Sequence, residues 1–397
     1  MSRQHYWCAG LVALLVRCGG AAESLGILNA TTCAGVTADG ASDVTLALQR
    51  CISQAYEAQL ALFLPPGRYL VSDTLWANQS NYGSSLPVNL RPARWRTNVL
   101  LGAPSPRRPT IVLAPRSAGF GDASAPKNVL KVHNTGREND NMNQIVRSID
   151  FELGPGNPGA VAVFLHGAQG STVQDVTVRM TDALAGFGGG GGAGASHLNI
   201  AAIGGQFGVR FDESEPGPVV AGGRFENQSV SAIAWLQSRK NGAGQGPLIV
   251  TGVSVEQAAG ASGPAVATNA RIMYVLDATI RCDPRAGVAV SPGAYLRSVW
   301  TKGCALQPGD ARGAADSYAL VHELAQGTIW AEGQRHPNAS IANLSSAPVA
   351  EPPDVVSLHI PWSEESFPSF TRPETANAIA DCGESSDNLP PPPHNAA

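Results

Sequence analysis

A chain of 397 residues, 43% hydrophobic and 15% charged, can build one large core or two modest ones. Its 44 glycines and 29 prolines against 6% aromatic residues argue against a helical bundle and for many tight turns with small inward side chains, as in a β-rich solenoid. A formal charge of −4 makes nucleic acid or an anionic lipid surface a poor partner.

The start, MSRQHYWCAGLVALLVRCGGAAE, has a basic Arg3, an apolar run from Trp7 to Val16 and small residues at Gly19 to Ala22. It reads as a secretory signal peptide over residues 1–22, against the alternative of a frayed apolar helix. Its removal takes away Arg3 and Arg17 and brings the charge to −6. The run falls short of the ~20 apolar residues of a membrane span, and no later one reaches that length. Secretion also fits N-x-Ser/Thr sequons at Asn29, Asn78, Asn227, Asn338 and Asn343. The expected location is extracellular or the cell wall, and the expected state a monomer.

Beyond the leader remain Cys33, Cys51, Cys282, Cys304 and Cys382. Cys33 and Cys51 bracket the first structured segment, and Cys282 and Cys304 are one solenoid coil apart, where equivalent positions stack at roughly 4.8 Å. Both pairs are expected as disulfides, with buried thiols as the alternative. Cys382 is left over.

In TCAGVTADGASDVTLALQRCISQAYEAQLALFLPPGRYLVSDTL, Asp43 can cap a helix with an apolar face of Leu46, Leu48, Ile52 and Ala55. Leu60 to Leu64 reads as a buried strand ended by Pro65-Pro66-Gly67, and Tyr69 to Leu75 as the next strand. Such a helix would cover the open end of a solenoid core. From Ile145 onward, short alternating strands recur every 22 to 28 residues, at Ile149–Leu153, Val173–Val178, Leu198–Ile200, Phe225, Val253–Val255, Ile280 and Val299. Alternation places Ile149, Phe151 and Leu153 inside, with Asp150 and Glu152 on a solvent-facing sheet. The fold class is therefore all-β: a right-handed parallel β-helix over residues 30–345 with a short N-terminal capping helix. Gly186 to Gly194 lacks the Gly-Lys-Ser/Thr ending of a phosphate loop. Residues 346–397 read as a linker and a polar, Pro-rich tail.

The Ala38-Asp39-Gly40-Ala-Ser-Asp43 start and FLPPGRYLVS finish resemble the opening of pectate-lyase-superfamily β-helices. GPGNPGAVAVFLHGAQGSTVQDVTVRM, HLNIAAIGGQFGVRF and FENQSVSAI look like the first helix of glycoside hydrolase family 55, exo-acting β-1,3-glucanases of two tandem β-helices. HIPWSEESFPSF resembles the crossing between those helices, and Ala380-Asp381-Cys382-Gly383 echoes the segment at Cys33. The tail then reads as the start of a second, truncated helix with Cys382 as the counterpart of Cys33, or else as an ordinary polar tail.

The resemblance implies a hydrolase whose acid comes from the second helix and whose first helix adds polar groups, among them a glutamine matched by Gln169. A serine expected in the following loop is replaced by glycines between Gly188 and Gly192, a departure from the family pattern. Local candidate carboxylates are Asp212, Glu213, Glu215 and Glu226, each alternatively a solvated turn residue. Asn227 reads as an inward turn asparagine bonded along the stack. The expected partner is a polysaccharide, first of all β-glucan, with no cofactor. A lyase on uronate polymers would instead use Arg or Lys as base, with Arg179, Arg210 and Arg224 on one face, and Ca²⁺. The Asp-Asp, Gly-His-Gly and Arg-x-Lys motifs of polygalacturonases are absent. A non-catalytic carbohydrate-binding or cell-wall scaffold is the third reading.

Overall fold

A computed structural model describes residues 26–79, 97–134, 141–190, 194–212, 217–236, 247–269, 273–283, 287–308, 310, 316–331 and 334–345, all within one unit spanning 26–367. The expected leader, Glu213, Glu215, Cys382 and the segment after 345 lie outside the described residues.

The chain winds as a right-handed parallel β-helix. β1 (Ile27–Asn29) and β2 (Asp39–Asp43) open the first coil, and α1 (Thr45–Ala58) follows. Four coils of three strands come next: β3 (Ala61–Leu64), β4 (Arg68–Val71) and β5 (Leu75–Gln79); β6 (Val99–Gly102), β7 (Thr110–Leu113) and β8 (Lys127–Asn134); β9 (Ile145–Arg147), β10 (Asp150–Leu153) and β11 (Ala160–Leu165); β12 (Thr172–Gln174), β13 (Thr177–Met180) and β14 (Ala185–Gly189). The first two strands then fuse into one bent strand per coil: β15 (Ser196–Ile203) with β16 (Phe207–Phe211), β17 (Val219–Glu226) with β18 (Ser231–Trp235), and β19 (Leu248–Glu256) with β20 (Val266–Thr268). β21 (Met273–Arg281) and β22 (Ala294–Lys302) extend the bent sheet, and the antiparallel β23 (Ala319–Ala331) and β24 (Gln334–Leu344) close it. Coil starts at Ile145, Thr172, Ser196, Val219, Leu248, Met273 and Ala294 bear out the repeat, which begins earlier than the sequence pattern suggested: β1, β3, β6 and β9 already pair in parallel.

β5, β8, β11, β14, β16, β18 and β20 form a separate parallel sheet, here the flank sheet. Its inward register row is Leu75, Leu130, Val163, Phe187, Val209, Ile233 and Val266, all fully buried. Each such aliphatic side chain contributes roughly 1.5–3 kcal/mol on leaving water. Stacking like on like is what lets coils whose strands are as short as three or four residues hold a core.

The bend between the other two faces needs one left-handed residue per coil. Ser148, Asp175, Asn199, Gly222, Gly252, Asp277 and Ser298 supply it, with φ between 48° and 69°. Glycine reaches that region at low cost for lack of Cβ, and Asn or Asp by local hydrogen bonding. Asn199 donates its Nδ2 to Asp175 Oδ1 at 2.7 Å, and Asp175 also pairs with Arg147 at 3.3 Å, so successive corners are tied together.

α1 lies over the first coils. The N-cap is Val44, which has no side-chain cap, rather than the expected Asp43; Asp43 stands one residue earlier at the end of β2, and its Oδ1 accepts the Thr45 N–H at 2.9 Å. The buried face is Ala47, Leu48, Cys51, Ile52 and Ala55, whereas Leu46 is 75% exposed. Leu46 and Leu48 are two positions apart, about 200° around a helix, and cannot share one face. Gln49 covers the edge of the flank sheet: its side-chain amide accepts the Trp76 N–H at 2.7 Å and donates to the Trp76 carbonyl at 3.0 Å, standing in for a missing strand. Leu48→Ala should cost 2–5 kcal/mol in urea unfolding and Leu46→Ala less than about 0.5 kcal/mol; equal losses would contradict this packing.

Three other segments depart from the sequence pattern. Tyr69 to Leu75 is two strands, broken by a turn at Ser72–Thr74 where the chain passes to the flank sheet. Ile149, Phe151 and Leu153 are buried as expected, but Asp150 is drawn in from solvent: it pairs with Arg108 at 3.1 Å and accepts the Thr177 N–H at 2.9 Å. Asn227 is exposed in a left-handed turn, and its neighbour Gln228 turns inward to donate to the carbonyls of Ala202 and Glu226, at 2.9 and 2.8 Å.

Both expected disulfides are present. Cys33–Cys51 ties the first coil to α1, and Cys282–Cys304 joins adjacent coils with Cα atoms 5.1 Å apart. Two such bonds are consistent with an extracellular location.

Candidate functional site

The outward face of the flank sheet carries a trough of about 230 Å³ lined by Pro126, Asn128, Lys131, Val161, Phe164, Gly188, Gly189, Arg210 and Asp212. Register explains its shape. Trp76, Lys131, Phe164, Gly188, Arg210 and Ala234 are successive partners on β5, β8, β11, β14, β16 and β18 and point away from the core. Aromatic and cationic groups thus flank a position with no side chain. Gly188 and Gly189 make the floor: a Cβ on Gly188 would lie 2.9 Å from Val161 Cγ1, and one on Gly189, whose φ is +83°, 2.5 Å from the Leu165 carbonyl oxygen.

Lys131 Nζ sits 5.1 Å from the centre of the Trp76 ring and 5.3 Å from that of Phe164, held by cation–π attraction between two aromatic faces. The Arg210 guanidinium lies 5.9 Å from the Phe207 ring. Phe207 belongs to a small apolar patch with Val161, Leu184, Ala185 and Ala234 beside the trough. Asp212 follows β16, and its backbone N–H donates to the Gly189 carbonyl at 3.1 Å. Two residues further along from the trough-lining Lys131 and Phe164 stand His133 and His166, stacked 5.0 Å apart. Burial, then the neighbouring His166 and Lys131 charges, push the His133 imidazole down to about 4, so it is neutral near pH 7.

Of the residues singled out from sequence, Asp212 lines the trough and Gln169 does not. Gln169 is exposed in the turn between β11 and β12, where its carbonyl accepts the Asn143 N–H at 2.9 Å. Glu226 ends β17 on another face, ion-paired to Arg224 and in register with Glu256. Arg179, Arg210 and Arg224 do not share a face: Arg210 is on the flank sheet, while Arg179 and Arg224 lie on the bent one. Trp76, Lys131, Phe164 and the two histidines were not singled out, because nothing in the sequence aligns them without the coil register. Among the described residues no three His, Cys, Asp or Glu side chains converge as metal ligands, and no helix is long and apolar enough to cross a membrane.

Parallel strands stacked coil on coil are the architecture of a pectate-lyase-like β-helix. The chain belongs to the family described as rhamnogalacturonase A/epimerase, pectate lyase-like, whose model matches residues 27–232. No curated protein matches it. Among solved structures, the Agl-KA catalytic domain is 13% identical over 70% of this chain and 55% of that one, with a TM-score of 0.36. The phiAB6 tailspike, in complex with oligosaccharides of Acinetobacter baumannii surface polysaccharide, is 10% identical over 82% and 59%, with a TM-score of 0.38. The A-module of the mannuronan C-5 epimerase AlgE6 of Azotobacter vinelandii is 16% identical over 70% and 78%, at 0.32. The chain thus spans little more than half the length of the first two.

Proposed function

We propose that this chain is a secreted polysaccharide-binding protein whose ligand lies across the strands of the flank sheet, and that the ligand carries carboxylates. The observation that carries the reading is the outward row Trp76, Lys131, Phe164, Gly188, Arg210. Aromatic faces suit the apolar faces of sugar rings, and Lys131 and Arg210 suit uronate carboxylates, Arg210 through a two-pronged pairing. From β8 to β16 is three strand spacings, roughly 14 Å, the reach of an oligosaccharide rather than one sugar. The family's rhamnogalacturonase name supports an acidic plant-type polymer over a neutral one.

A second reading, hydrolysis of β-1,3-glucan, is favoured by Asp212, the carboxylate among the described residues that lines the trough and could serve as general acid. One experiment separates the two. Oligogalacturonates and β-1,3-gluco-oligosaccharides are titrated into the wild type and into Lys131→Ala/Arg210→Ala. Uronate binding should fall about a hundredfold in the double variant, as two charge-assisted contacts of roughly 1.5 kcal/mol each are lost. Binding of neither sugar sinks the proposal. Release of reducing ends from β-1,3-glucan, abolished by Asp212→Asn, establishes the hydrolase instead.

A further inference from the structure

Two residues beyond Lys131 and Phe164, the rings of His133 and His166 stack nearly parallel, with planes 18° apart. His166 is buried and His133 half-buried; the pair continues the row past the trough-lining Lys131 and Phe164, with the Phe164 ring 6.3 Å from that of His166. The charged or titratable groups facing His133 among the described residues are Lys131 on its own strand and His166 at the end of β11; β5 presents the neutral Asn78. Its neighbours therefore oppose a proton on the ring. An arriving carboxylate reverses that balance, because it brings the opposite charge that the position lacks. Anion and proton then favour each other's binding, and the coupling is reciprocal.

We propose that His133, backed by His166, is a carboxylate subsite at the edge of the trough that takes up a uronate residue together with a proton. The inference rests on the anionic-polysaccharide reading above. A sugar acid resembles other α-substituted carboxyls and stays ionised above about pH 3.5, so between pH 7 and pH 5 the ligand keeps its charge. In that window the free His133 is neutral, since its value lies near 4. If the bound carboxylate restores the ring toward the ordinary imidazole value of about 6.5, binding tightens about tenfold from pH 7 to pH 5.

The test is calorimetric titration of oligogalacturonate into the full chain at pH 7 and pH 5, repeated in buffers of different ionisation enthalpy to count protons. The wild type should bind about tenfold more tightly at pH 5, with net proton uptake. His133→Gln should lose the gain in affinity, and the proton uptake, between pH 7 and pH 5. His133→Lys should bind tightly at both. Equal wild-type affinity at the two pH values overturns the subsite while leaving the groove reading standing, and so does a pH dependence that survives in His133→Gln. Absence of binding at either pH overturns the groove reading and the subsite with it.

Discussion

Replacing His197 with leucine should make the protein markedly more resistant to acid. His197 lies on β15 with its side chain pointing into the core, 1% exposed, between its register partners Val173 and Val220. The ring centres of Phe211 and Phe187 are 4.8 and 6.1 Å from that of the imidazole, the Phe187 and imidazole planes nearly perpendicular. Neither ring nitrogen has a hydrogen-bond partner among the described residues. Burial alone pushes this imidazole down to about 3. In the unfolded chain it titrates near 6.5. Between those values the unfolded state holds a proton that the folded state refuses, so stability is fully present above pH 6.5 and is lost as pH falls toward 3. By pH 4 the loss from this residue is on the order of 3 kcal/mol. Leucine removes the titration and also the cost of burying unpaired ring nitrogens, about 1–3 kcal/mol. Urea unfolding of wild type and His197→Leu at pH 7.5 and pH 4 isolates the effect, because every other titrating group is common to both. The variant should lose about 3 kcal/mol less between the two pH values; equal losses would show that the ring is already protonated or solvated in the fold.

The solenoid itself was readable because its rules are local. Alternation in Ile149-Asp-Phe151-Glu-Leu153 names the inward side chains without any long-range knowledge, and the spacing of Cys282 and Cys304 is one coil whatever the coil contains. The Pro65-Pro66-Gly67 stop ends β3 for equally local reasons. Errors arose where two local signals overlapped. Leu46 is as apolar as Leu48, and only the helical angle between them shows that one must face water. Asn227 and Gln228 are adjacent polar residues in a turn; the left-handed backbone at Asn227 swings its side chain out and sends Gln228 in.

The trough was not legible, and the reason is register. Its residues come one per coil, and coils here differ in length because their turns differ, so no fixed spacing links Lys131, Phe164 and Arg210. Proximity in sequence points the wrong way. Asp212 and Glu226 follow one another closely along the chain, yet the passage from β16 to β17 carries them onto different faces. Charge type was an equally poor guide, as Arg210 and Arg224 show.

Gly188→Leu should abolish ligand binding while leaving the fold in place. Gly188 stands in the outward row between Phe164 and Arg210, where every other coil from β5 to β16 carries a large side chain. A Cβ there meets Val161 Cγ1 at 2.9 Å and the Phe164 ring at 3.5 Å, so the buried, stiff Val161 side chain must give way. The backbone at Gly188, unlike that at Gly189, is not in the left-handed region, so leucine brings no backbone strain. Overpacking of this kind costs about 1–3 kcal/mol, which a coil bonded on both sides by β11 and β16 can absorb. The leucine side chain itself has no place to go but the trough. It would occupy the space between the aromatic wall and Arg210 and hold a sugar ring off Phe164. Loss of about 2.7 kcal/mol of contact is a hundredfold in affinity. The matched control is Ala201→Leu, an outward position on the bent sheet in register with Thr177 and Arg224. Oligogalacturonate binding should fall at least about a hundredfold in Gly188→Leu and stay at the wild-type level in Ala201→Leu, with far-ultraviolet circular dichroism unchanged in both. The opposite pattern would move the ligand from the flank sheet to the charged rows around Arg224 and Glu256.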